Sequence, residues 1–284
     1  MSHHAPRRAA ARFAGVLALI LALAIPAAGP PRAETDAGRD TSMRPSQSWD
    51  EIRGDVVGDG EITDGADLFT LEAPFRAEDA AIVPIRLVQK DGTPRIARLT
   101  LVVDENPSPV AAVFTFGPAM GPLDLETRIR VNAYSNVRAI AETEDGTLHM
   151  TGRYVRAAGG CSAPASKDAA AALAALGQMK ARWYAAEPAA SGTRREAQVM
   201  LRHPNYSGLQ RDQVTHLFVP ARFIDTFEVA QGDETLFKVE GGISISEDPT
   251  FRFRYTDSGA GESLTLRAHD TDGQNFEGSF PLGS

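Results

Sequence analysis

Apolar and polar residues alternate in short runs along most of this chain, and glycine, proline, aspartate or asparagine closes the runs. DLFTLEA, AAIVPIRLV, RIARLTLVV, AAVFTF, LETRIRVNA, NVRAIAETE and TLHMTGRYV fill residues 67–155; AQVMLR, RFIDTFEVA, TLFKVE, FRFRYT, SLTLRAH and FEGSFPL fill 197–282. A side-chain period of two with one apolar face predicts half-buried strands, and strands without intervening helices predict antiparallel sandwiches, not a parallel α/β sheet. Asp145-Gly146 predicts a two-residue hairpin turn, since that turn needs positive φ; turns are also expected at Gln231-Gly232-Asp233 and Asp272-Gly273. Helical spacing interrupts the pattern twice. From Ser48, read as a cap, Trp49, Ile52 and Val56 predict a short helix. Between 163 and 187 the alanine-rich KDAAAALAALGQMKARWYAAE puts Leu173, Leu176, Met179 and Trp183 on one helical stripe. The expected fold is mainly β: two antiparallel sandwiches, 48–158 and 196–284, joined through an arm and helix over 159–187.

The N-terminus adds a different element. Arg7, Arg8 and Arg12 precede an apolar run from Phe13 to Ile25, which Pro26 ends before the small-residue stretch AAGPPRAE. Charged, apolar and small segments in that order predict a cleavable signal peptide over 1–33, with a polar spacer at 34–47. The run is shorter than the roughly 20 residues of a membrane-spanning helix. Export to the periplasm is expected, with no membrane partner. Residues 1–33 contain four of the 29 basic residues and no acid, so the mature chain would hold 25 basic against 37 acidic residues. A net negative charge of that size argues against nucleic acid as a partner.

Most chemical motifs fail. DVVGDGEITDG starts like a calcium loop, but Val57 sits at the third ligand position and Ala66 at the twelfth. The histidines at 3, 4, 149, 203, 216 and 269 have no HxxH or HExxH spacing, so no metal site is expected. GxSxG, GxGxxG and GxxxxGK[ST] are absent, so neither a catalytic residue nor a cofactor is assigned. What survives is GGCSAP at 159–164, around the only cysteine. A solitary cysteine cannot form an internal disulfide, and in an oxidising compartment it calls for a role. Gly159 and Gly160 predict a flexible arm that exposes Cys161; Ser162 or Ser166 and Pro164 suit a helix start, whose dipole would favour the thiolate. A buried cysteine at a domain joint is the competing reading.

The order of segments resembles a fusion of the sulfur-oxidation carrier subunits SoxY and SoxZ, in particular the quinoprotein dehydrogenase-associated SoxYZ-like carriers. SWDEIRGDVVGDGEI, LEAPFRAEDAAIVPIRL, LTLVVDENPSPVAAVFTFGP, RIRVNAYSNVRAIAETEDGTLHM and GGC are similar to SoxY; MLRHPNYSGLQRD, VPARFIDTFEV and ISEDPTFRFRY are similar to SoxZ. The resemblance implies two immunoglobulin-like sandwiches and a covalent carrier, not an enzyme. It implies that Cys161 is the attachment point for a small sulfur-containing cargo, with Gly159, Gly160 and Ser162 as its positioning neighbours. Sulfur-oxidising or quinoprotein dehydrogenase enzymes of the periplasm would be the partners. SoxY holds its cysteine in GGCGG at a free C-terminus, whereas GGCSAP here continues into a second domain. Two other functions fit the residues: an accessory module docking on a quinoprotein dehydrogenase, and a thiol enzyme in which His203 or His216 acts as base to Cys161.

Overall fold

A computed structural model describes residues 1–2, 39–164, 169–189, 192–212, 215–257 and 259–283. Strands are numbered in chain order. One sheet runs β1 (Ile62–Asp64), β8 (Leu148–Val155), β7 (Ser135–Thr143), β4 (Ile96–Val103), β5 (Val110–Phe116), β12 (Glu234–Gly241), β11 (Ile224–Gln231), β14 (Ser263–Asp270) and β15 (Asn275–Pro281). The other runs β2 (Phe69–Glu72), β3 (Val83–Gln89), β6 (Asp124–Ile129), β13 (Thr250–Asp257), β10 (Gly192–Leu201) and β9 (Met179–Ala189). Among the described strands, every ladder is antiparallel except that of β1 with β8.

The two immunoglobulin-like domains, β1–β8 and β9–β15, share both sheets. β5 pairs with β12 from Ala112↔Gly241 to Phe116↔Phe237, and β6 pairs with β13 at Glu126↔Arg252 and Leu125↔Phe253. The joint is therefore made of strand ladders, where an arm and a helix were expected. The alternation that predicts the strands explains why. Val83, Ile85 and Leu87 of β3 point inward, as do Phe251, Phe253 and Tyr255 of β13, and all six are buried in one apolar core. Phe114 of the first domain meets Phe251 of the second edge-on at 6.0 Å between ring centroids, so aromatics of the two domains pack directly. Each buried phenylalanine contributes about 2–3 kcal/mol, and separating the domains would expose several.

Helix α1 (Gln47–Val57) is capped two residues before the cap read from the sequence: the Ser46 hydroxyl, not Ser48, accepts the Trp49 N–H at 3.1 Å. Its Trp49 packs on Val102 and Ile140, outside the main core. The buried guanidinium of Arg138 lies 4.6 Å from the Trp49 ring and holds Asp104 by two bonds of 2.7 and 2.9 Å. The described part of the expected spacer is docked. Tyr154 N–H donates to Thr41 O at 2.9 Å, and Arg44 N–H to Asn136 Oδ1 at 2.8 Å. The signal-peptide reading falls on residues that, apart from Met1 and Ser2, lie outside the described ones.

The long amphipathic helix is a correction. The described part of helix α2 is Ala169–Ala174, and Met179 and Trp183 lie on β9, paired with β10 through Leu201↔Met179 and Ala197↔Trp183. A four-residue step fits a period of two as well as a helical turn. Here Met179, Ala181 and Trp183 pack on the core, while Lys180, Arg182 and Tyr184 alternate with them. Gly177, with φ of +81°, stops the helix before the strand begins.

Candidate functional site

Cys161 sits at the seam between the domains, beyond the end of β8, and is fully buried. The segment that was expected to be flexible and exposed is held from both sides. Gly159 N–H donates to Asn132 O at 2.7 Å and Gly160 N–H to Val131 O at 3.1 Å, so the glycines run against the turn after β6. Gly159 has φ of +81°, a conformation that costs other L-residues. A Cβ on Gly160 would fall 2.1 Å from Ala80 O. The glycine pair thus permits close backbone approach, not mobility. Ser162 is exposed, and its N–H and hydroxyl both donate to Gly159 O at 3.2 Å, closing the turn.

The second domain provides the cover. The Ser207 hydroxyl donates to Cys161 O, and Ser207 N–H in turn donates to Gln210 Oε1 at 3.0 Å. Asn205, fully buried with φ of +48°, gives Nδ2 to Ile245 O at 2.8 Å and accepts the Ile224 N–H on Oδ1 at 2.9 Å. Asn106 completes the frame from the first domain. It accepts Asn132 N–H at 2.8 Å and donates to Arg130 O at 2.8 Å and to Ser244 Oγ at 2.9 Å.

Arg130 is the charged member. It follows β6, is 0 % exposed, and donates Nη1–H to Gly160 O at 3.1 Å and Nη2–H to Asn205 O at 3.4 Å. It therefore touches the residue before Cys161 and the cover at once. Burial pushes the Cys161 thiol up, and the charge of Arg130 partly offsets this. The guanidinium is itself pushed down by burial, against the influence of Glu247, Cys161 and Asp79. A seated Cys161 is therefore a neutral, shielded thiol.

These contacts correct two expectations. Cys161 is not solvent-reachable in this conformation, because the glycines serve packing and the Ser207 segment closes over it. The charge that acts on the sulfur is that of Arg130, where a helix start was expected to supply it; the described part of α2 begins at Ala169. Pro164 lies before α2, and Ser166 is outside the described residues. The base required by the thiol-enzyme reading is engaged elsewhere. His203 Nδ1 accepts the Asn205 N–H at 3.1 Å, which puts the ring proton on Nε2, 3.4 Å from Asp270 Oδ2. Burial holds His203 below the usual histidine range, with Asp270 opposing. His216 lies exposed on a turn at φ of +57°. No set of three or more His, Cys, Asp or Glu suited to a metal occurs among the described residues.

Sequence reasoning missed Arg130, Asn106, Asn205 and Ser207. The weak signal for Arg130 is that it breaks phase, because Ile129, Arg130 and Val131 are all buried where the strand rhythm would turn residue 130 outward.

Comparison with protein families meets this geometry at its centre. The family described as sulfur oxidation protein SoxY matches residues 53–161, ending on Cys161 itself, and that described as sulphur oxidation protein SoxZ matches 182–281. The chain is a SoxY–SoxZ fusion. The seam between β5 and β12 and between β6 and β13 is then the SoxY–SoxZ interface within one polypeptide, and Arg130, Gly160 and Asn205 bridge it. Membership places this SoxY–SoxZ fusion in sulfur oxidation, within a family of carriers and not of catalysts. Among curated proteins there is no significant match. No helix of the described residues is long and apolar enough to cross a membrane.

Proposed function

We propose that this SoxY–SoxZ fusion is a periplasmic carrier that binds a sulfur species covalently on Cys161 and presents it to partner enzymes. The observation that carries the reading is the end of the SoxY match on the chain's only thiol. Export is supported by the charged, apolar and small-residue order of residues 1–33 and by the periplasmic habit of Sox proteins. Carriage needs the Cys161 segment to leave its seat, because the thiolate is the nucleophile and a buried neutral thiol is not. Once outside, the thiolate can attack an existing S–S bond of the cargo, displacing the other sulfur with no net change in oxidation. Joining a cargo sulfur that lacks such a bond releases two electrons to an oxidising partner. Gly159, Gly160 and Ser162 serve the seated state, and the partners are sulfur-oxidising or quinoprotein dehydrogenase enzymes.

The intact mass of protein purified from its host without reductant tests this. The expected result is an increment on the Cys161 peptide that reductant removes and Cys161→Ser lacks. A thiol always found unmodified overturns the reading. The burial of Cys161 favours a second one, an accessory module that docks on a quinoprotein dehydrogenase with the thiol as packing. In that case Cys161→Ser leaves host growth on alcohols and on reduced sulfur compounds unchanged, whereas a carrier loses growth on the sulfur compounds alone.

A further inference from the structure

Residues 206–212 and 215–222 of the second domain run back along each other as a flap. Arg222 N–H donates to Tyr206 O at 3.0 Å, Val219 N–H to Gln210 O at 2.9 Å and Asp212 N–H to Leu217 O at 2.9 Å. Near its base the flap carries the cover of the carrier site, since the Ser207 hydroxyl donates to Cys161 O. Farther out it is apolar and open to water: Leu217 is 69 % exposed, Phe218 58 %, and Leu209 is exposed as well. Tyr134 is exposed too, on the first-domain turn whose Val131 and Asn132 carbonyls hold Gly160 and Gly159. Large apolar side chains gathered in water mark a protein-binding surface, whereas scattered ones do not. These four sit on the two segments that grip residues 159–161, one from each domain, so the surface continues the SoxY–SoxZ interface outward.

The closed seam is also incomplete inside. Gln210 is buried and accepts Ser207 N–H on Oε1, but its Nε2 has no partner, and neither has Nε of buried Arg130, which holds Gly160 O and Asn205 O. Unmet buried donors disfavour closure, and lifting the flap delivers them to water or to a partner. A partner shifts a closed–open balance only by gripping the open form more tightly. The donors that opening bares supply that margin, and the exposed side chains supply the grip. We infer that this flap is the docking element through which an enzyme acting on the Cys161 sulfur lifts Ser207 and reaches the thiol. Such an enzyme presents an apolar recess beside its active-site mouth, which takes Leu217 and Phe218 as anchors. The place argues for that occupant: Cys161 lies beneath the flap, so a protein that handles its sulfur has to displace the flap, whereas a second copy of this chain brings only another closed seat. The inference rests on the carrier reading for its use.

Cross-linking and loading test this in the full chain. Benzoylphenylalanine placed at position 218 and illuminated in the host, during growth on reduced sulfur compounds, should join the protein to an enzyme that peptide mass spectrometry identifies as sulfur-oxidising or as a quinoprotein dehydrogenase. A link to a second copy, to any other protein or to nothing overturns the proposal. The double variant Leu217→Ser with Phe218→Ser should lower the fraction of Cys161 loaded in the host by about tenfold or more. In purified protein freed of adduct its Cys161 alkylation should stay within about twofold of wild type, because Ser207 and its bonds are kept. Unchanged loading overturns the docking role. So does alkylation that rises as much as loading falls, which would make the two side chains part of the cover's packing. If the double variant does not fold, the cross-link decides alone. Wild-type protein that never carries an adduct sinks the carrier reading instead, and the cross-link then still decides whether the flap docks an enzyme.

Discussion

How tightly the seam holds Cys161 can be worked out from its contacts. Leaving the seat breaks four hydrogen bonds: Gly159 N–H to Asn132 O, Gly160 N–H to Val131 O, Arg130 to Gly160 O, and Ser207 to Cys161 O. At about 1 kcal/mol net each, opening costs about 4 kcal/mol, so about one molecule in a thousand is open at any moment. Alkylation of native Cys161 by a small neutral reagent should run about a thousandfold slower than in the urea-unfolded chain at the same pH. Removing the Ser207 hydroxyl with Ser207→Ala weakens the cover by about 1 kcal/mol and should speed alkylation about fivefold, with global stability lowered by about the same 1 kcal/mol. The assay is mass spectrometry of a time course, and the single cysteine makes each modified molecule unambiguous. Low concentrations of urea separate the routes, since local opening responds weakly to denaturant and global unfolding steeply. Native alkylation within tenfold of the unfolded rate would refute the closed seat. A urea dependence equal to that of global unfolding would refute the local opening.

Three further outcomes follow from the same contacts. An unfolded histidine takes a proton near pH 6.5, whereas buried His203 resists one; between those two ionisations the unfolded chain binds more protons, so stability falls as pH drops below about 6.5. His203→Gln should be less stable than wild type but flatten that acid slope in thermal unfolding, and an unchanged slope would assign it to other groups. At the alkaline end the sign reverses: the unfolded thiol ionises near pH 8.5 and seated Cys161 above it, so stability falls as pH rises, and Cys161→Ser should remove that part of the slope. Gly160→Ala cannot be seated with its Cβ 2.1 Å from Ala80 O; it should bring Cys161 alkylation close to the unfolded rate while the protein stays folded, and preserved protection would contradict the packing role.

The strands were legible in the sequence because burial on one face writes a period of two, as in Val83, Ile85 and Leu87 of β3. The β7–β8 hairpin was legible too, but its turn takes three residues, 144–146, with Gly146 at positive φ, where a two-residue turn was expected. The merging of the two domains was not legible. Partners such as Phe116 and Phe237 are far apart in sequence, and a strand's own pattern does not say which edge it will join. Strand β9 was misread because alanine favours helices and Met179 and Trp183 are four apart, a spacing that both periods satisfy. The site was legible as Cys161 and its glycines. Its closed state was not, because glycine before a thiol fits mobility and close packing equally, and only Ala80 O at the Gly160 Cα decides between them. Arg130 was hidden because a long cation in a strand reads as solvent-facing.

The second tether on Cys161 does not abolish its reach. Upstream, β8 ends at Val155, leaving residues 156–161 as the stem; six residues fully extended span about 20 Å. Downstream, residues 162–178 separate the thiol from the start of β9 at Met179. Even with the six residues of α2 kept helical, the other eleven extend that side to about 45 Å. The upstream stem therefore limits how far the sulfur can travel, as it would in a chain that ended after the cysteine. What the fusion changes is return: a released segment stays joined to the domain that covers it, which keeps its effective concentration at the seat high. Lengthening the downstream side should then alter little. A four-residue Gly-Ser insertion after Ala174 is expected to leave both Cys161 alkylation and adduct loading within about twofold of wild type, since lengthening a loop of this size changes its closure entropy only slightly. A tenfold rise in either would show that the downstream tether, and not the stem, restrains the sulfur.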